Sequence, residues 1–341
     1  MDPLNVLGVE TPRGYRTFEL FHGDLTTLQE PVDVLVVSAF AGSYVPTPGT
    51  LAGALSRRLG IDLVALSYRP ELDLRTPLGT WVSCQLQHGP FKRIICAELI
   101  GSGLPVPEVL SNVFVSLSIL EARGLVIRSV ALPVLGAGAQ GLAPKVVIEA
   151  LLTEATNYLQ RSTTTKCIKF VELNERLARD LAAAMDVVLG RVRTYLPQDA
   201  LLRAVQTDIR HKLQQVKTLF DAGGDSLQAS WLGLLQADRV PSVELGVQAR
   251  RLVELMVSRM GAHSDAPLYK RIHALEGAGV APWVCGYMHV LRHIGNESAH
   301  ENPSASRRPP TVEARDLALC LFCVERLLDY WMHHHDPNAA V

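Results

Sequence analysis

The chain has 341 residues, 48% apolar and 20% charged, with 33 basic side chains against 34 acidic ones. That balance excludes a broadly basic nucleic-acid coat and a long acidic tail, and the length suits about two domains, each with its own core. No apolar run reaches the ~18 residues of a membrane span, and MDPLNVLGVETPRGY at the start lacks the basic stretch and apolar core of a secretory signal. The expectation is therefore a cytoplasmic protein with no membrane partner.

In chain order, Phe18–Phe21, Val32–Ser38, Trp81–Leu86, Arg93–Leu99, Val126–Leu132 and Cys167–Glu172 are short, apolar and bounded by Gly, Pro or polar residues, the pattern of strands. Between them Thr50–Leu59, Pro107–Arg123 and Pro144–Gln160 carry apolar residues at helical spacing, and Gly124 closes the second. Strands alternating with helices of this length predict an α/β half with a mixed, largely parallel sheet covered on both faces. From Asn174 onward the strand pattern stops. Asn174–Leu189, Leu196–Phe220, Ser242–Met260, Pro267–Glu276, Pro282–Ala299 and Thr311–His333 read as helices, with breaks at Ala222–Asp225 and Asn302–Pro310. Two domains are expected, residues 1–194 and an all-α bundle over residues 195–341.

Cys84, Cys96, Cys167, Cys285, Cys320 and Cys323 lie mostly in apolar segments and read as small hydrophobes. Cys320 and Cys323 have C-x2-C spacing but no second pair to complete four ligands, so no metal is expected. His333, His334 and His335 point in different directions around a helix end, where imidazoles suit the negative dipole.

Three segments of the first half carry ligand chemistry. Gly23-Asp24-Leu25-Thr26 ends a strand, and Asp24 there either caps a turn or accepts a hydrogen bond from a base amino group. Val36–Leu55 runs from a buried strand through a small-residue loop into a helix beginning near Thr50. Pro133–Pro144, PVLGAGAQGLAP, joins a strand to a helix through Gly136, Gly138 and Gly141, which serve either a tight turn or a close backbone approach to phosphate.

Taken in this order, the three segments resemble the macrodomain family of ADP-ribose-binding modules over roughly residues 15–190. The resemblance implies a three-layer α/β sandwich and a ligand that is ADP-ribose or a related nucleotide, with no further cofactor. It implies that Asp24, with Leu25, meets the adenine, that Gly49, Thr50 and Leu51 lie along the diphosphate, and that Gly136, Ala137, Gly138, Ala139, Gln140 and Gly141 clamp the phosphates from the other side. Hydrolase-type members carry Asn-Ala-Ala-Asn where this chain has Ser38-Ala39-Phe40-Ala41, so Ser38 replaces an amide that would orient a ribose and a water. Binding without turnover is the expectation, with ADP-ribosyl hydrolysis as the alternative.

In the second half, Tyr287–His300, YMHVLRHIGNESAH, places Arg292, Asn296 and His300 four residues apart on one helical stripe. Gly295 between them signals a close helix approach or a local break. With Gln248–Met256 and Asp316–Trp331 this stretch resembles the helical HEPN superfamily, in the group with L-R-x-x-G-N-x-x-A-H. That resemblance implies a homodimer through the helical domain, and an RNA partner if Arg292, Asn296 and His300 form a nuclease site. A structural role, non-catalytic binding and RNA cleavage all stay open for the stripe. Together the halves suggest a nucleotide sensor with a responding helical domain in a defence or stress pathway. Each half is close to neutral, while nine of the eleven histidines follow residue 195, which gives the helical half the groups that titrate near neutral pH.

Overall fold

The computed structural model describes residues 3–28, 30–87, 89–99, 106–135, 142–191, 195–221, 225–262, 266–299 and 312–335. In chain order the first part contains β1 (Pro3–Thr11), β2 (Gly14–His22), a 3-10 turn (Leu25–Thr27), β3 (Val32–Phe40), α1 (Leu51–Leu59), α2 (Leu63–Tyr68), β4 (Leu72–Leu74) and α3 (Arg75–Leu78). It continues with β5 (Thr80–Val82), β6 (Phe91–Leu99), α4 (Val106–Ala122), β7 (Ser129–Pro133), α5 (Pro144–Arg161), β8 (Cys167–Glu172) and α6 (Glu175–Val188). The remainder is α7 (Ala200–Gln215), α8 (Lys217–Phe220), α9 (Asp225–Gln236), α10 (Ser242–Arg259), α11 (Leu268–Gly277), α12 (Pro282–Ala299) and α13 (Ala314–His334). Residue contacts divide the chain into two units, with the break in the helical region between Val188 and Leu189. Val6–Gly8 and Pro12–Tyr15 of the first hairpin group with the second unit.

The eight strands form one mixed sheet in the order β1-β2-β8-β7-β3-β6-β5-β4. The pairs β2/β8, β8/β7, β7/β3 and β3/β6 are parallel, while β6/β5 and β5/β4 are antiparallel. Val32 and the run Val34–Val37 of β3 are buried because a central parallel strand is covered on both faces. Leu35 and Val37 of β3 pack with Ile94 and Cys96 of β6, Ala131 of β7, and Leu55 and Leu63 from α1 and α2. The alternate residues, Val34, Val36, Ile95 and Ala97, are as deeply buried and point to the opposite face. There α4 packs on β6, α6 on β8, and α5 on both helices. The expected α/β sandwich with a largely parallel sheet is what the fold delivers.

Several expectations on individual elements need correction. β1, β4, α2, α3 and α9 are additional to the elements read from the sequence. The run read as one helix over Leu196–Phe220 begins at Ala200, capped by Asp199, and breaks at Val216 into α7 and α8. Cys96, Cys285, Cys320 and Cys323 are buried, but Cys84 is exposed and Cys167 half-buried.

The second unit is helical around α10 and α12. α10 also meets α13, α9 and α11, and α7 packs on α13 and α9. Gly295 lies within an unbroken α12, and a Cβ there would fall 2.6 Å from Arg250 Cβ and 2.7 Å from the Gly246 carbonyl. Close helix approach, not a break, is therefore the reason for this glycine. At the end of α13, Nδ1–H of His333 donates to Asp329 O (2.7 Å) and that of His334 to Tyr330 O (3.0 Å), so both rings serve the last carbonyls of the helix. Among the described residues no helix is long and apolar enough to cross a membrane, and no cluster of His, Cys, Asp or Glu could hold a metal.

Candidate functional site

In an open α/β sheet, ligands settle beyond the carboxyl ends of the strands where neighbouring connections leave toward opposite faces. β3 and β7 meet that condition. They are parallel neighbours, yet the chain passes from β3 to α1 on one face and from β7 to α5 on the other. Three of the sequence-predicted segments leave the sheet at its carboxyl edge, after β2, β3 and β7.

Asp24 follows β2. Its backbone is extended and its Oδ1 accepts from the Thr26 N–H (2.8 Å) and hydroxyl (2.7 Å), so it caps the 3-10 turn. Its Oδ2 is paired with Nη1 of Arg58 from α1. Burial pushes the Asp24 carboxyl up, but the hydrogen bonds from Thr26 and Arg58 together with the Arg58 charge outweigh it and hold the group below its ordinary range. The carboxylate is 23% exposed and the Arg58 side chain 55%. The capping role and an exposed oxygen coexist, so the two alternatives for Asp24 do not exclude one another. Leu25 beside it is buried.

The connection from β3 to α1 is exposed from Ala41 to Thr50 except for Tyr44. Tyr44 packs edge-on against Trp81 with ring centroids 5.5 Å apart, and its hydroxyl donates to the buried Glu98 carboxylate near the end of β6. Arg75 Nε lies 3.6 Å from the same carboxylate. Burial, and then the bond to Glu98, push the Tyr44 phenol up to about 12, so it stays a donor at neutral pH. Gly49 has φ +82°, where a side chain would strain the backbone, and delivers the chain to Thr50. Thr50 Oγ1 accepts from Gly53 N–H (3.1 Å) and donates to Thr47 O (2.7 Å). With that cap in place, the N–H groups of Leu51 and Ala52 at the mouth of α1 have no carbonyl of their own helix to bond. They suit an anion.

Ser38 is half-buried in register with Ala97, and Phe40 at the end of β3 is 69% exposed. Gly136, Ala137, Gly138, Ala139, Gln140 and Gly141 lie outside the described residues, as does His300. Of the helical stripe, Arg292 and Asn296 fall on α12. Asn296 is 7% exposed, and its Oδ1 accepts from Nη1 of the buried Arg250 on α10. Arg250 Nε donates to Glu254 (3.2 Å), and the guanidinium lies 3.4 Å over the Tyr15 ring centroid. Arg292 is half-buried, with Nη2 2.5 Å from His293 Nε2. Burial, then the charges of Arg292 and His293, hold the His289 imidazole below its ordinary range.

Arg58, the Tyr44–Glu98–Arg75 group and Arg250 were not legible as site residues in the sequence. Only Glu98 leaves a local trace, as one acid in the apolar run RIICAEL.

The fold thus defines an α/β module with a switch point at the carboxyl edge of its sheet, followed by a helical unit. No protein-family model and no curated protein matches the chain. Among solved structures it is similar to an Oceanobacillus iheyensis macrodomain mutant, G37V, with ADPR, at 20% identity over 55% of this chain and 100% of the other, with a TM-score of 0.43. The macrodomain of the same organism with ADP matches at 18% identity over 55% and 98%, TM-score 0.42. A Trypanosoma brucei macrodomain in complex with ADP-ribose matches at 18% identity over 54% and 73%, TM-score 0.40.

Proposed function

We propose that the α/β unit binds a nucleotide of the ADP-ribose class at the carboxyl ends of β2, β3 and β7 without turning it over, and that the HEPN-like helical unit is its responding or dimerising element. The observation that carries the reading is the switch point between β3 and β7. The mouth of α1 supplies backbone donors for a diphosphate beside it, and the Asp24–Arg58 pair at the end of β2 supplies polar groups for a base. Binding in preference to hydrolysis is supported by Ser38-Ala39-Phe40, which offers one hydroxyl and an exposed aromatic ring but no amide to orient a water. For the helical unit, the engagement of Asn296 by Arg250 supports a structural role of the stripe over a nuclease site.

Calorimetric titration of the full chain with ADP-ribose tests the reading. Saturable binding that weakens on Asp24→Ala is the expected result, and absence of heat at millimolar ligand overturns it. Sedimentation at rising concentration tests the dimer, which a persistent monomer would overturn.

A further inference from the structure

We infer that Arg58 is a base-specificity residue, opening the site at Asp24 to 6-oxopurines, hypoxanthine and guanine, as well as to adenine. The inference rests on the reading above, in which Asp24 faces the base.

Two acceptors fix Arg58. Its Nη1 donates to Asp24 Oδ2 and to Thr26 Oγ1 (2.9 Å), and Thr26 is itself bonded to Asp24 Oδ1. Among the described residues, the hydrogen bonds of Arg58 all run through Nη1. A guanidinium carries five N–H donors in a rigid fork, so Nη2 and Nε remain to face an incoming group. An ion pair this exposed adds little to stability, which leaves recognition as the use that its geometry favours. Leu173 follows β8 directly after Glu172, whose carbonyl accepts from Gly23 N–H (2.9 Å), and it is largely exposed, an apolar residue beside the strand end that carries Asp24.

An isolated carboxylate at this position suits a 6-amino group and leaves a 6-oxo group facing negative charge without a donor. The Asp24–Arg58 couple presents an acceptor and a donor side by side. Adenine needs only the acceptor, with N6–H toward Asp24 Oδ2. A 6-oxopurine meets it with N1–H toward the one acceptor site left on Asp24 Oδ2 and O6 toward Arg58. The 6-position group of each base finds a partner without rearranging the pair, N6–H on Asp24 or O6 on Arg58, so discrimination between them is shallow.

The test is calorimetry of the full chain with ADP, IDP and GDP, in the wild type and in Arg58→Ala, with thermal melting to confirm that the variant folds. The wild type is expected to bind the three diphosphates within about tenfold of one another, and Arg58→Ala to weaken IDP and GDP by about tenfold, at least about threefold more than it weakens ADP. Arg58→Lys, which keeps the charge but not the fork, should recover part of the IDP affinity. A wild type that binds ADP but rejects IDP and GDP by about a hundredfold overturns the inference and leaves the nucleotide reading intact. Equal weakening of all three ligands in Arg58→Ala also overturns it. No binding of these diphosphates or of ADP-ribose overturns the reading and the inference together.

Discussion

The two units place the same kinds of side chain in opposite circumstances. At the sheet edge of the first, Asp24, Arg58 and Thr50 bond their neighbours yet keep surface in water. Between α10 and α12 of the second, Arg250 and Asn296 make a comparable pair with almost no exposure. A polar pair at an open edge retains hydrogen-bonding capacity for a ligand at little cost in stability. A buried pair has exchanged all its water for one geometry, and its loss falls on folding. What separates a candidate binding residue from a helix fastener is therefore burial, not residue type or spacing.

The largest effect that sharpens this contrast is expected at the helix crossing. Gly295→Val sets a branched side chain against Arg250 Cβ and the Gly246 carbonyl and should cost about 3 kcal/mol in denaturant unfolding. Asn296→Ala leaves the buried Arg250 guanidinium one acceptor short and should cost about 2 kcal/mol without changing nucleotide affinity. An Asn296→Ala protein as stable as the wild type would break the comparison.

A similar loss is expected from Glu121→Gln in the first unit. The Glu121 carboxylate accepts from the hydroxyls of Ser162 (2.6 Å) and Thr164 (2.6 Å) and from the N–H groups of Thr163 (3.0 Å), Thr164 (3.0 Å) and Thr165 (3.2 Å). Burial pushes the group up, but these bonds prevail and hold it below its ordinary range. A folded-state pKa below the unfolded one means that stability is fully present above the unfolded value and is lost as pH falls through the folded one. Melting temperatures should accordingly drop on acidification below about pH 4, and Glu121→Gln, about 2 kcal/mol less stable at neutral pH, should show a shallower drop. At the open edge Thr50→Ala should cost only about 1 kcal/mol, the value of an N-cap, while weakening ADP-ribose binding. Unchanged affinity in that variant would remove the mouth of α1 from the site.

Legibility in the sequence followed how local each cause is. β8 and α12 have the residue boundaries read from the sequence, because turn residues or proline bracket their apolar patterns. α9 was hidden by Gly223-Gly224, which reads as a break, although Leu227, Trp231 and Leu234 behind it keep helical spacing. β1 was missed because Asn5 and Gly8 interrupt its strand pattern. Asn5 is buried to bond Ala182 O (2.9 Å) and Asp186 (2.7 Å), and a Cβ at Gly8 would collide with the Tyr15 ring. Asp24 and Thr50 were legible because capping is a short-range act. Arg58 was not, since its partner lies 34 residues away and only the fold brings them together. The α12 stripe showed which residues share a face but not that Arg250 would claim one of them.

Tyr44 gives the segment between β3 and α1 a mechanical character that its composition hides. Pinned by Glu98 and Trp81, this exposed stretch is two short tethers meeting at a rivet, not one long span. Much of the chain entropy that a ligand would otherwise have to remove is already spent during folding. Added residues between Val45 and Gly49 would then lengthen one tether and leave the other at its native length, whereas Tyr44→Ala would merge them into a single slack span.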